Sequence, residues 1–231
     1  MTLIELLEGM WKIFSQYWEI LIFEGVKNTI ILSLIALFFG TIIGSLLAFG
    51  RMSKFKPLSL VVGAVVEVVR GTPMLLQLYI GVFGLPMIIP KNVRPDFLND
   101  YFVMVALVLI INSAAYVSEI IRSGIQAVDK GQTEAARSLG LDKTTTMIEI
   151  ILPQAVKNIL PALGNEFITV IKETSLASTF AVGELMTKYD EIKSVNYNAF
   201  PAYIVIGIIY FVLTYSLSKI MKFAERKMKH D

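Results

Sequence analysis

The chain has 231 residues, 55% apolar and only 17% charged, with a mean hydropathy of +0.65 and a net charge of +2. A soluble domain carries about 45–50% apolar and about 25% charged residues, so this excess excludes a soluble globular domain, a disordered chain and a coiled coil. The absence of cysteine and the near-balanced charge exclude a disulfide scaffold, a thiolate metal site and a nucleic-acid footprint.

Residues 1–18 come first. At the helical period, Leu3, Leu6, Leu7, Met10, Trp11, Phe14, Tyr17 and Trp18 fall on one side. Glu5, Glu8, Lys12, Ser15, Gln16 and Glu19 fall on the other. This predicts an amphipathic helix lying in the outer membrane interface. Glu5 and Glu8 stand where a signal peptide would be basic.

Four runs then lack Asp, Glu, Lys and Arg: Asn28–Gly50, Gly71–Pro90, Tyr101–Ser118 and Ser194–Ser218. Each approaches or exceeds the roughly 20 apolar residues that a membrane-crossing helix needs. Pro57–Val69 is interrupted only by Glu67, and Ile150–Ile171 by Lys157 and Glu166. Joining the former to the next run gives one long span broken at Arg70-Gly71-Thr72-Pro73. The expectation is a single all-α membrane domain with five spans, 24–50, 57–88, 99–122, 146–172 and 199–222. Gly40 and Gly44 form a GxxxG on the first span, which predicts close helix packing.

Arg51, Lys54 and Lys56 follow span one, and Arg122, Lys130, Arg137 and Lys143 follow span three. Lys219, Lys222, Arg226, Lys227 and Lys229 follow span five. Lys and Arg mark the cytoplasmic side, so the N-terminus is expected outside and the C-terminus inside a plasma membrane, most naturally bacterial. The opposite loops carry Lys91, Arg94, Lys188 and Lys193, balanced by acids. No GxxxxGK[ST] loop occurs, and the lone histidine is His230. A catalytic triad and a His-rich metal site are thereby excluded, and the chain is not expected to be an enzyme. Any nucleotide energy has to come from another chain.

The loop 129–145 between spans three and four is the most informative segment. Asp129 and Gln132 resemble a capping box, and Gly140 is placed to end a helix in the left-handed region. A capped helix of about ten residues, too short and polar to span, suits docking to another protein. Glu134-Ala135-Ala136, Gly140, Ile150 and Leu152-Pro153 match the EAA…G…I.LP loop of ABC importer permeases. Arg70-Gly71-Thr72-Pro73, Ala115–Arg122 and Lys172–Ser178 look like the polar amino-acid permeases of the histidine, glutamine and arginine type. The resemblance covers about residues 20–222.

It implies a type I importer fold and pairing with a second permease chain, as homodimer or heterodimer. It implies ATPase subunits carrying ATP-Mg at the cytoplasmic face and an extracytoplasmic amino-acid binding protein. Glu134, Ala135, Ala136, Arg137 and Gly140 would then carry the ATPase coupling, and the substrate would be a polar, possibly cationic amino acid. No cofactor is expected in this chain itself.

Ionisable groups at membrane depth are candidate sites. Glu166, with Asn165 beside it and Thr169 one turn on, can hold an amino-acid ammonium or can bond a neighbouring helix. Asn112, Ser113 and Tyr116 on span three can complete the same pocket or glue helices together. Glu67 and Arg70 can pair with each other at i, i+3, or Arg70 at the broken helix can draw a substrate carboxylate. Glu119 and Arg122 are expected to pair and anchor the coupling loop. Lys172 and Glu173 can gate the outer mouth or sit in water. The competing reading is an ion-coupled secondary transporter working without an ATPase, which leaves the EAA loop unexplained.

Overall fold

The computed structural model describes residues 2–89, 95–195 and 199–230. Lys91 and Arg94 lie outside the described residues. Among the described residues every regular element is helical. In chain order the α-helices are α1 (Leu3–Glu19), α2 (Lys27–Arg51), α3 (Lys56–Gly71), α4 (Met74–Tyr79), α5 (Leu85–Ile88) and α6 (Tyr101–Gln126). Then come α7 (Lys130–Ser138), α8 (Lys143–Thr145), α9 (Leu152–Glu173), α10 (Leu185–Val195) and α11 (Ala199–His230).

α1 and α2 are joined without a break by a π-helical stretch, Ile20–Val26. The separate helix 1–18 and span 24–50 are therefore one continuous helical run. Nothing between them stops a helix: there is no proline, and Gly25 is accommodated by the close approach of Leu185 and Lys188. The start is fixed by an unforeseen capping box. Thr2 N donates to Glu5 Oε2 at 2.7 Å, and Glu5 N donates to Thr2 Oγ1 at 3.3 Å. Ile13 is buried, with Met10 and Tyr17, against Ala202, Val205 and Ile206 of α11, while Trp11 and Trp18 stay exposed.

The predicted span 57–88 is two segments whose axes meet at 107°. Thr72 is extended at φ −112° and ψ 146°, because a residue preceding proline avoids the α region. α6 forms the buried centre, capped by Asp100, whose Oδ1 accepts from Phe102 N at 2.8 Å and Val103 N at 3.3 Å. α2 lies against it through the GxxxG glycines, as predicted. A Cβ on Gly44 would stand 2.8 Å from the Ala114 carbonyl and 2.9 Å from Val117. α9 closes the other flank, with Ile159 packed on Gly124.

Leu3–Arg51, Tyr101–Gln126 and Ala199–Lys227 are long and apolar enough to cross a membrane, as is the bent pair α3 and α4–α5 if counted as one. The expected span 146–172 coincides with a π-helical stretch, Thr146–Ile151, followed by α9. α9 carries Lys157, Glu166 and Lys172 and is less apolar than the others.

Candidate coupling helix and polar membrane sites

α7 has the caps that its sequence requires. Asp129 Oδ1 accepts from Gly131 N at 2.6 Å, which satisfies one of the free donors of the first turn. Gln132 does not return the bond; its Oε1 faces Gln154 Nε2 at 3.5 Å instead. The expected capping box is thus half built, because Gln132 reaches across to α9. At the other end Gly140 adopts φ +86°. Leu141 N donates to Ala136 O and Gly140 N to Arg137 O, both at 3.1 Å, the pair of hydrogen bonds that closes a helix C-terminus.

Ala136 is buried, whereas Glu134, Ala135 and Arg137 are exposed. Arg137 Nη1 donates to the Leu141 carbonyl at 2.5 Å, so this guanidinium braces the turn. Leu139, which the motif leaves out, is 83% exposed beside it. Asp142 Oδ1 then accepts from Thr144 N at 2.7 Å and Thr145 N at 2.8 Å. The bonds from Thr145 above all hold the Asp142 carboxyl below the usual carboxylate range. The ammonium of Lys54, and next Arg137, push Lys143 down.

Glu166 is 7% exposed on α9 and neighbours Ser113 of α6, whose buried Oγ makes no hydrogen bond among the described residues. Asn165 beside it is exposed, and the Thr169 hydroxyl turns back to the Asn165 carbonyl at 3.1 Å. Asn112 is spent elsewhere: its Nδ2 donates to Gln77 Oε1 at 2.9 Å. No hydrogen bond joins Asn112 to Glu166 among the described residues. Consecutive residues on α6 point about 100° apart, so Ser113 and Asn112 serve different neighbours. The buried Asn112 Oδ1 has no partner among the described residues.

Gln77, not singled out from sequence, is the keystone of the broken segment. Its Nε2 donates to Val69 O at 2.6 Å, Thr72 O at 3.1 Å and Thr72 Oγ1 at 2.8 Å. These bonds satisfy carbonyls that the bend frees, which a membrane interior requires.

Glu67 and Arg70 do not pair as their spacing allows. Glu67 is exposed, with Arg51 Nη2 4.0 Å away. Arg70 lies 3.7 Å from Glu119 and over the Tyr116 ring at 5.4 Å. Arg51 Nη1 donates to Glu119 Oε2 at 2.8 Å, and Arg122 Nε donates to the same oxygen at 3.1 Å. Glu119 thus gathers guanidinium groups from α2, α3 and α6. The expected pair with Arg122 is present, and the two further partners are visible only in three dimensions.

Beyond α9 a second buried carboxylate appears. Glu184 has no exposed surface. Its Oε1 accepts from Thr187 N at 2.6 Å and Thr187 Oγ1 at 2.9 Å. Its Oε2 accepts from Met186 N at 2.7 Å and the Tyr210 hydroxyl at 3.0 Å. A carboxylate with four donors is a satisfied structural group. Glu184 with Thr187 three residues on is a legible helix start that the sequence reading passed over. Lys172 lines a cavity of about 260 Å³ with Ser175, Tyr203 and Tyr210.

A broken helix, a centrally buried helix and a capped amphipathic helix at one end define the class: an all-helical membrane permease of the type I importer fold. The chain belongs to the family of binding-protein-dependent transport system inner membrane components, which it matches over residues 40–230. It is 40% identical over 210 residues to the arginine transport system permease ArtQ of Bacillus subtilis, covering 91% of this chain and 93% of that protein. It is 38% identical to the L-cystine transport system permease TcyB of the same organism, covering 94% and 91%. A crystal structure of an amino acid ABC transporter with histidines superposes with a TM-score of 0.85 at 43% identity, covering 93% of this chain and 96% of that one. The MetNI methionine ABC transporter shares the fold at a TM-score of 0.72 and 19% identity, covering 90% and 96%.

Proposed function

We propose that this chain is the membrane subunit of an ATP-driven importer of polar amino acids. It crosses a bacterial plasma membrane five times, with its N-terminus outside and its C-terminus in the cytoplasm. A second permease chain completes the path, and separate ATPase subunits hold ATP-Mg. An extracytoplasmic binding protein delivers the substrate. The observation that carries this reading is α7, a nine-residue helix closed at both ends, with Ala136 inward and Glu134, Ala135 and Leu139 outward. A short helix so fixed can pass a push from an ATPase into α6 and α9 without fraying. A secondary transporter working alone gives that helix no partner.

Inside the membrane Glu166 is the residue assigned to the substrate ammonium, with Ser113 beside it. Asn165 and Thr169 line the approach. Arg70, over Tyr116, offers a cation for a carboxylate. Asn112 and Glu67 contribute less: one is bonded to Gln77 and the other faces Arg51. Proteoliposome uptake of labelled arginine, glutamine and cystine, with binding protein and ATPase supplied, tests the reading. ATP-dependent uptake of one or more of them is expected. Uptake that follows an imposed ion gradient without the ATPase contradicts it.

A further inference from the structure

The polar pocket between α2, α3 and α6 lies outside the sites assigned so far. It is about 450 Å³ in volume, and its wall includes Arg51, Arg122, Ser59, Gln126 and Gly63 together with the acid Glu67. The charge around it does not balance. Arg51, Arg70 and Arg122 converge on the single carboxylate of Glu119. Glu67, the other acid there, is exposed, with its carboxylate 4.0 Å from Arg51. Arg51 has five donors and, among the described residues, makes one side-chain hydrogen bond, to Glu119, with Glu67 4.0 Å from its Nη2, so further donors can face the pocket.

The edge of the pocket is apolar. Leu60, in its lining, is 72% exposed, and Val61 and Val65 on the adjoining face of α3 are exposed as well. A guanidinium-lined head space opening onto an apolar strip has the shape of a phospholipid site. A free carboxylate substrate would find no use for that strip. Basic pockets between membrane helices on the cytoplasmic side take anionic headgroups, and guanidinium groups hold phosphate through paired donors.

We propose that this pocket binds a phosphate-bearing anion, the headgroup of an anionic phospholipid, through Arg51 and Arg122, with the acyl chains lying along Leu60, Val61 and Val65. The leaflet involved rests on the orientation proposed above; the binding itself does not. Ser59 and Gln126 supply neutral polar contacts. Gly63 keeps the floor open, since the nearest atom to a Cβ there is Arg51 Nε at 3.9 Å.

The test uses the full-length chain in detergent micelles doped with equal phosphatidylglycerol and phosphatidylethanolamine, with bound lipid counted by native mass spectrometry. Wild type is expected to retain phosphatidylglycerol preferentially. Arg51→Gln with Arg122→Gln is expected to lose about tenfold or more of that retention. Gly63→Leu fills the pocket without removing charge and is expected to do the same, which separates binding from any folding defect of the arginine variant. Displacement of the lipid by inorganic phosphate or glycerol phosphate at matched concentration would support the site and assign it to a soluble phosphate ester. Equal retention of both lipids, or retention unchanged in both variants, overturns the proposal. Association with the ATPase is scored in a separate pull-down, so failure of the importer reading is distinguishable from failure of the lipid site.

Discussion

Glu166 is nine-tenths buried and has Ser113 as its neighbour on α6. A carboxylate held at that depth is costly unless a partner or ligand offsets it. A charge-assisted hydrogen bond contributes about 1.5–3 kcal/mol, or roughly tenfold to a hundredfold in affinity. Glu166→Gln should therefore weaken amino-acid uptake by that factor while leaving ATPase association intact; wild-type uptake by the variant removes the assignment. Asp142 makes a second test at the same scale. Its folded carboxyl is depressed by the bonds from Thr145 and Thr144, so its contribution is present above the ordinary carboxylate value of about 4. That contribution is lost as pH falls through the depressed value. Amide exchange at Lys143–Thr146, corrected for intrinsic rate, should accelerate as pH is lowered toward about 3, and Asp142→Ala should show that acceleration already at neutral pH.

α7 depends on one backbone conformation. Gly140 at φ +86° has open space around it, so the objection to a side chain is conformational and not steric. An alanine there costs about 1–2 kcal/mol. Gly140→Ala should lower ATPase coupling while uptake-independent substrate binding persists, as read by substrate-stimulated hydrolysis against equilibrium binding. The α2–α6 seam is the opposite case. Gly44 has the Ala114 carbonyl at 2.8 Å from where a Cβ would lie. Gly44→Val should destabilise by at least about 2 kcal/mol, seen as a lower melting temperature in detergent; an unchanged melt would mean that the helices are not so close.

These elements also mark what the sequence made legible. α7 was readable because its caps are local: Asp129 and Gly140 act on residues within three positions. The GxxxG seam was readable because its spacing is a surface pattern. The continuity of α1 with α2 was not, since a helix without a stop signal and a helix with a short break look alike in composition. The bend at Thr72-Pro73 was signalled by proline. Its repair by Gln77 was hidden, because the freed carbonyls exist only once the chain has turned. The partners of Arg51 and Arg70 were likewise invisible, since charge pairs between helices depend on a packing that no local spacing encodes.

At the scale of the whole molecule, the polar groups fall into separate places. The candidate coupling helix α7 follows α6 in the chain, and the Arg51–Glu119–Arg122 cluster joins α2 to α6. Glu166 and the Asn112–Gln77 network lie on two flanks of α6. Glu184 ties α10 to α11, and Leu185 N, bonded to Thr29 Oγ1 at 3.1 Å, ties it to α2. α7 packs on the Thr146–Ile151 stretch that leads into α9, and α9 packs on α6, so a displacement of α7 has a path to both flanks of α6. Coupling of this kind requires a partner that moves α7 and a ligand that occupies the membrane. The most direct measurement is ATP hydrolysis by the chain reconstituted with an ATPase and binding protein, titrated with individual amino acids. The account predicts stimulation by a few polar amino acids that Gly140→Ala lowers. Hydrolysis indifferent to every amino acid, or stimulation undiminished by Gly140→Ala, contradicts it.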